Sequence, residues 1–162
     1  MVTESRNHFD RMTELLTRKK ELLAEMLELT REQTGAIDEK SLDRLQKLIE
    51  EKQKRIDEID RLDEEFTACM DKLKIEAGVK DLGELEASRY PGARELKRLT
   101  AEVISLVEQI SGIEKVNSAK SKELLEEIGA HIRRFSQAKK LSNAYNQQDV
   151  SGAPSLFLDK KK

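Results

Sequence analysis

Tryptophan is absent from the 162-residue sequence, and the other aromatic residues are only four phenylalanines and two tyrosines. Turn-forming residues are also scarce, with seven glycines and two prolines. A β-sandwich needs many turns and many aromatic and β-branched residues, and a compact α/β enzyme buries more apolar surface than this composition offers. These shortages exclude both classes and leave an almost wholly helical chain.

Charged residues are abundant instead: they make up 38% of the sequence, and hydrophobic residues make up 37%. This balance is typical of long exposed helices that bury a narrow apolar seam, which argues against a deep catalytic cavity. The 30 lysines and arginines nearly cancel the 32 aspartates and glutamates. The chain therefore has no overall field that would capture nucleic acid or an anionic membrane, and we expect neither as a partner.

A single cysteine, Cys69, excludes an internal disulfide and indicates a reducing compartment, with the thiol acting as a small buried hydrophobe. The first residues lack the apolar core of a signal peptide, and no uninterrupted apolar run approaches the roughly 20 residues that span a bilayer. We expect a soluble cytoplasmic protein without membrane insertion.

Motifs for catalysis, cofactors and metals are lacking as well. The glycines are isolated, so neither a GxGxxG nor a GxxxxGK phosphate loop occurs. Glu127 and His131 are spaced i, i+4, whereas a helical di-metal site uses Glu-x-x-His twice, so we interpret them as a surface pair. Asp57, Asp60 and Asp63 lie within a helical pattern and lack the glycine of a calcium loop. We expect no catalytic residue, cofactor or metal.

Apolar residues that recur every three or four positions predict three helices and one short connector, at about residues 4–34, 41–77 and 91–145 with the connector at 79–90. Gly35 and Gly78 are the expected C-terminal stops, and Ser41 or Asp38 is the expected N-cap of the second helix. The third pattern weakens at residues 117–122, which predicts either a kink or a break. The fold class is all-α: an elongated antiparallel three-helix coiled-coil bundle with a long C-terminal helix.

The second helix has the most regular apolar stripe, formed by Leu42, Leu45, Ile49, Ile56, Ile59, Phe66, Met70, Leu73 and Ala77. Lys52 and Asp63 interrupt this stripe. A polar residue in a seam more often sets the register of the helices than performs chemistry.

The third helix is too long for the first two to cover, and its end should project about 25–30 Å beyond their turn. That end carries an apolar stripe of Leu124, Ile128, Ile132, Phe135, Ala138, Leu141 and Tyr145, and an uncovered stripe marks a partner site or an oligomer contact. From Ile128 onward the sequence has seven cations against two anions. This excess reflects either the usual preference for cations near a helix C-terminus or a basic surface for an acidic partner.

Residues 146–162 are polar and rich in helix breakers, and we expect a flexible tail. Leu156, Phe157 and Leu158 are three adjacent apolar residues near its end, ahead of Asp159 and three lysines. They either fold back onto the bundle or form a short docking motif that orders on a partner.

Several segments together resemble the FlgN-type flagellar export chaperones over nearly the whole chain. They are Leu42…Leu45…Ile49–Gln53, Asn117…Lys122–Ile128, the helix-closing Tyr145 and the ending Ser155–Lys161. The resemblance implies a bacterial cytoplasmic chaperone that holds hook-associated proteins, which form the hook–filament junction, before their export through the flagellar type III apparatus.

In that family the C-terminal part of the chaperone engages the C-terminal amphipathic helix of its client. For this chain the resemblance implies a client-binding surface formed by Leu124, Ile128, Ile132, Phe135, Leu141 and Tyr145. Tyr145, Leu156, Phe157 and Leu158 are the expected contacts with the export gate. The alternative is a structural coiled-coil scaffold or homo-oligomer that pairs through the same stripes.

Overall fold

The computed structural model describes residues 2–81, 90 and 92–145, with side chains from Arg6 onward. Three helices account for nearly all of these residues: α1 at Val2–Asp38, α2 at Leu42–Ala77 and α3 at Gly92–Tyr145. The described part contains no strand. The prediction of an all-α bundle is confirmed, while the knobs-into-holes packing of a coiled coil stays a prediction.

The end of α1 differs from the prediction, because the helix continues through Gly35 to Asp38. Ala36 and Ile37 are both buried, and their burial outweighs the cost of about 1 kcal/mol for a glycine inside a helix. Lys40 takes the left-handed conformation instead, at φ 59°. The amides of Lys40 and Ser41 donate to the carbonyls of Ile37 and Ala36, which completes a Schellman-type stop.

The boundaries of α2 agree with the sequence prediction at both ends. Ser41 occupies the N-cap position with an extended backbone, although its side chain makes no capping hydrogen bond. Gly78 ends the helix at φ 68°, and the amides of Gly78 and Val79 donate to the carbonyls of Ile75 and Lys74. A glycine suits this position because it adopts a positive φ without steric cost.

The third helix is continuous through residues 117–122, so of the two alternatives left open by the sequence, a kink or a break, the break is wrong. It has 54 residues, against 37 in α1 and 36 in α2. At its start Gly92 lies so close to α1 that an added Cβ would be 2.7 Å from the Cβ of Phe9. Residues 82–89 of the predicted connector lie outside the described residues.

The chain divides into two units, residues 1–117 and 118–162, which we call the bundle unit and the C-terminal unit. The described members of the hydrophobic core all belong to the bundle unit, and their buried side chains come from all three helices. The buried members of this core include Phe9, Met12, Leu16, Leu22, Leu23, Met26 and Leu27 from α1, Ile59 and Leu73 from α2, and Leu96, Leu99, Val103 and Ile110 from α3.

Polar contacts fix the directions of the helices within the bundle unit. Arg18 of α1 pairs with Glu58 of α2, and Arg55 of α2 pairs with Glu25 of α1, so these two helices run antiparallel. Lys20 of α1 pairs with Glu102 of α3, and further along both helices residue 30 of α1 contacts residue 117 of α3. These two helices therefore run parallel. The bundle unit is therefore an up-down-up arrangement.

Candidate functional site

The described part of the C-terminal unit is the last 28 residues of α3, and it leaves large apolar side chains in solvent. Phe135 is 58% exposed, Leu141 is 61% exposed and Tyr145 is 87% exposed. Ile128 and Ile132 are partly buried. Monomeric proteins seldom expose several large apolar residues so close together without a partner. This surface is the strongest candidate for a functional site in the described chain.

The apolar residues of this surface do not form one straight stripe along α3. At about 100° per residue, Ile128, Ile132 and Phe135 lie within about 60° of one another around the helix. Leu141 and Tyr145 lie roughly 140° and 100° away from Ile128 on the same count. The three-residue steps between Phe135 and Leu141 cause this drift, so a straight partner helix would contact mainly the first three residues.

Leu124 and Leu125 differ from what the sequence pattern indicated. Leu124 is 6% exposed, so in this conformation little of it is available to a partner. Leu125 is 65% exposed, and the stripe prediction did not include it. The apolar pair at 124 and 125 was visible in the sequence, but periodicity alone does not tell which of two adjacent leucines faces the protein.

The same segment of α3 carries cations without anions. Residues 128–145 contain Arg133, Arg134, Lys139 and Lys140 and no aspartate or glutamate. The Nζ atom of Lys139 lies 5.7 Å from the ring centroid of Phe135, a cation–π distance. Within the part of the chain that the structure describes, none of these four side chains forms an ion pair with a carboxylate.

In the bundle unit, by contrast, charged side chains form ion pairs between helices. Arg18 Nε lies 2.7 Å from Glu58 Oε2, and Arg11 pairs with Glu65. Hydrogen bonds from Arg18 and Arg11 hold the pKa values of Glu58 and Glu65 below their usual range. These pairs lie at the surface, so each contributes modestly, but together they align α1 with α2.

A buried polar cluster joins α1 to α3 at the end of the bundle unit. Asn117 Nδ2 donates to the carbonyl of Thr30 at 3.0 Å, and Thr34 Oγ1 donates to Asn117 Oδ1 at 2.6 Å. Thr30 Oγ1 donates to the carbonyl of Met26, so both buried side chains, Thr30 and Asn117, are satisfied. In the sequence, the apolar pattern of the third helix weakens at this point. The geometry shows that its polarity is a contact between helices.

The polar residues in the α2 stripe also have partners on other helices. Lys52 is buried, donates to Gln33 Oε1 at 2.9 Å and pairs with the Glu114 carboxylate. Lys19 Nζ lies 2.7 Å from Asp63 Oδ1. These contacts support a role in helix register rather than in chemistry.

Parts of the predicted α2 stripe and of α3 remain half exposed within the bundle unit. Leu42 and Ile49 begin the stripe but are exposed, whereas the adjacent Leu48 is buried. The inward side of α2 at this end is therefore shifted by one residue from the predicted stripe. Ile104 and Val107 are also about half exposed.

In the part of the chain that the structure describes, the residues capable of chemistry lie apart from one another. Cys69 is half-buried and packs against the core. His8 Nε2 lies 3.1 Å from Glu76 Oε1, and His131 is exposed. Among the described residues, no cluster of three His, Cys, Asp or Glu side chains could hold a metal ion. Within the same residues, no helix is both long enough and apolar enough to cross a membrane.

The remaining predicted contacts, Leu156, Phe157 and Leu158, lie outside the described residues. Tyr145 is the last described residue and is almost fully solvent-exposed. In comparisons with known proteins, the model of one family, described as FlgN protein, matches residues 1–149. No curated protein and no solved structure matches the chain in the same comparisons.

Proposed function

Because this chain belongs to the FlgN family of flagellar export chaperones, we propose that it binds hook-associated proteins in the bacterial cytoplasm and delivers them to the flagellar export apparatus. The observation that carries the proposal is the exposed apolar surface of α3 in the C-terminal unit. An amphipathic client helix would cover that surface by helix-in-groove recognition. Covering it would also keep the client's own apolar face from assembling too early.

The proposed client surface consists of Ile128, Ile132 and Phe135, with Leu141 and Tyr145 on the drifting continuation. Fully burying one such side chain contributes about 1.5–3 kcal/mol. Because three of these residues are mostly exposed and two are partly buried, covering all five would contribute on the order of 4–7 kcal/mol. Association itself costs an estimated 4–15 kcal/mol, so apolar contact alone gives weak binding and polar contacts must add to it.

The direct test is the double substitution Ile132→Asp with Phe135→Asp. We expect it to abolish binding of a hook-associated protein while circular dichroism shows unchanged helicity. The matched control is Ile104→Asp with Val107→Asp, which has the same three-residue spacing on α3 and changes two half-exposed apolar side chains of the bundle unit. The control should retain the client affinity of the wild type.

Normal affinity in a folded Ile132→Asp/Phe135→Asp protein would refute this surface. The scaffold or homo-oligomer alternative makes a different prediction, because it uses the same apolar residues for self-pairing. In that case the purified chain has the solution mass of an oligomer, the double substitution converts it to a monomer, and the client does not bind.

Docking to the export gate is the second part of the proposal, and it assigns Tyr145, Leu156, Phe157 and Leu158 to that contact. Their sequence supports it, because Leu156, Phe157 and Leu158 are three adjacent apolar residues within a polar and basic segment, a composition typical of a short docking motif. Deletion of residues 146–162 should impair secretion of the client and leave the client complex intact. Normal secretion by the truncated protein would show that the tail is dispensable.

A further inference from the structure

The bundle unit shows how this chain joins two amphipathic helices along their edges. Arg11 and Arg18 are seven residues apart on α1, and they pair with Glu65 and Glu58, which are seven residues apart on α2. Both arginines lie about 100–120° around α1 from the buried Met12, at one edge of its apolar face. The result is a ladder of two ion pairs beside an apolar seam.

The C-terminal unit has a pair of cations with the same spacing beside its apolar face. Arg133 and Lys140 are also seven residues apart, and they lie about 80–100° around α3 from Ile132 and about 120–140° from Ile128, at the edge opposite to the one that Arg11 and Arg18 occupy on α1. The neighbouring face holds Ile128, Ile132 and Phe135. Within the described residues neither cation has a carboxylate partner, whereas Arg11 and Arg18 each have one on the next helix.

We propose that the partner of this surface is an acidic-edged amphipathic helix, with two carboxylates seven residues apart beside its apolar face that pair with Arg133 and Lys140. The inference rests on the proposed function and specifies the chemistry of the client segment. The two carboxylates of the partner correspond to Glu58 and Glu65, which pair with arginines of α1 in the bundle unit.

Lys139 favours a protein partner over an anionic membrane. A basic amphipathic helix can lie on such a membrane with its apolar face inserted. Lys139, however, lies about 20° from Ile128 around α3, in the middle of the apolar face, where insertion would carry its ammonium group toward the acyl chains. A protein can supply acceptors at that point, as Gln33 and Glu114 do for the buried Lys52.

The test uses the full-length protein and a fluorescent peptide with the sequence of the C-terminal helix of the hook-associated protein encoded in the same genome. Arg133→Glu with Lys140→Glu should weaken peptide binding about tenfold or more, because two attractions become two repulsions. Arg133→Gln with Lys140→Gln should weaken it less and should reduce its salt dependence. Lys47→Glu with Lys54→Glu is the matched control, since these exposed lysines on α2 have the same spacing.

A charge-swapped peptide sharpens the assay. Changing the two edge carboxylates of the peptide to lysine should weaken binding to the wild type and restore binding to Arg133→Glu/Lys140→Glu. The control protein should bind the original peptide within twofold of the wild type. Restoration by the swap would assign the contacts to these two residues.

The inference alone fails if the wild type binds the peptide, Ile132→Asp/Phe135→Asp does not, and Arg133→Glu/Lys140→Glu binds as the wild type does. It also fails if the peptide has no carboxylate pair with this spacing. If phosphatidylglycerol vesicles bind through Arg133 and Lys140 while the substitutions leave peptide binding unchanged, the inference is wrong and these residues form a membrane contact instead. No peptide binding by the wild type would overturn both the proposed function and the inference.

Discussion

The bundle unit and the C-terminal unit are built from helices of the same kind, and they differ in what covers those helices. In the bundle unit, apolar residues such as Met12 and Leu73 are buried, and cations such as Arg18 have carboxylate partners on another helix. In residues 128–145, Phe135 and Leu141 are exposed, and Arg133 has no carboxylate partner within the described chain. The second region has the chemistry of one half of a helix pair.

This difference matters because an amphipathic pattern specifies which face of a helix is apolar and does not specify what will cover that face. Three helices of one chain satisfy one another in the bundle unit. In our proposal, the last part of α3 is covered in the same way by another protein, whose helix has an apolar face with carboxylates beside it. The comparison between the two units can be tested with matched substitutions.

The largest difference in the free energy of unfolding should appear between two leucine substitutions, one in each unit. Leu73 is fully buried in the core of the bundle unit, so Leu73→Ala should reduce the free energy of unfolding by about 2–5 kcal/mol. Leu141 is mostly exposed, so Leu141→Ala should change it by less than about 0.5 kcal/mol. Urea unfolding of both variants measures the two values. Equal destabilisation would mean that Leu141 has a buried environment within its own chain.

A smaller difference in the free energy of unfolding should appear between two asparagine substitutions in α3. Asn117 is buried and bonded to Thr30 and Thr34, so Asn117→Ala should cost about 1–3 kcal/mol of unfolding free energy. Asn143 is exposed on the same helix, and Asn143→Ala should be close to neutral. Thermal unfolding of the pair provides the comparison. A neutral Asn117→Ala would show that the polar cluster does not hold α1 and α3 in register.

The smallest effect concerns the ion-pair ladder of the bundle unit. The folded-state pKa values of Glu58 and Glu65 are lowered by Arg18 and Arg11. Their contribution to stability is therefore present above the unfolded pKa, about 4.3, and is lost as the pH falls through the lower folded values. Glu58→Gln with Glu65→Gln should have a lower Tm than the wild type at pH 7.

As the pH falls from 7 toward 3, the Tm difference between this variant and the wild type should shrink, because protonation of the two carboxylates removes the charge that pairs with Arg18 and Arg11. High salt at pH 7 should shrink it as well. A difference that stayed constant from pH 7 to pH 3 would contradict a role for the charged ladder.

Much of this fold could be predicted from the sequence, because the long apolar periodicities and Gly78, the glycine that ends α2, are local signals. The end of α1 could not, since the burial of Ala36 and Ile37 against the rest of the bundle outweighs the local preference at Gly35. The continuity of α3 was left open for a similar reason. The polar residue Asn117 weakens the local pattern, and its partners Thr30 and Thr34 are more than 80 residues away.

The candidate site was predicted in part. The exposure of Phe135, Leu141 and Tyr145 agrees with the expectation of an uncovered stripe, and their role in client binding stays a prediction. Leu124 is buried beside an exposed Leu125, a difference that the periodicity of the sequence did not predict. The charge excess was visible in the sequence and left an acidic partner as one interpretation, and the pairing of Arg133 and Lys140 with two carboxylates is proposed by comparison with the paired arginines of the bundle unit.

Hydrogen–deuterium exchange of the full chain, with and without the client peptide, tests the central claim most directly. In the free chain, amides of residues 128–145 should exchange faster than those around Leu96–Ile110 of the same helix, where buried side chains support it. At saturating peptide, new protection should appear over residues 128–145. Protection confined to α1 and α2, with residues 128–145 unchanged, would contradict the account.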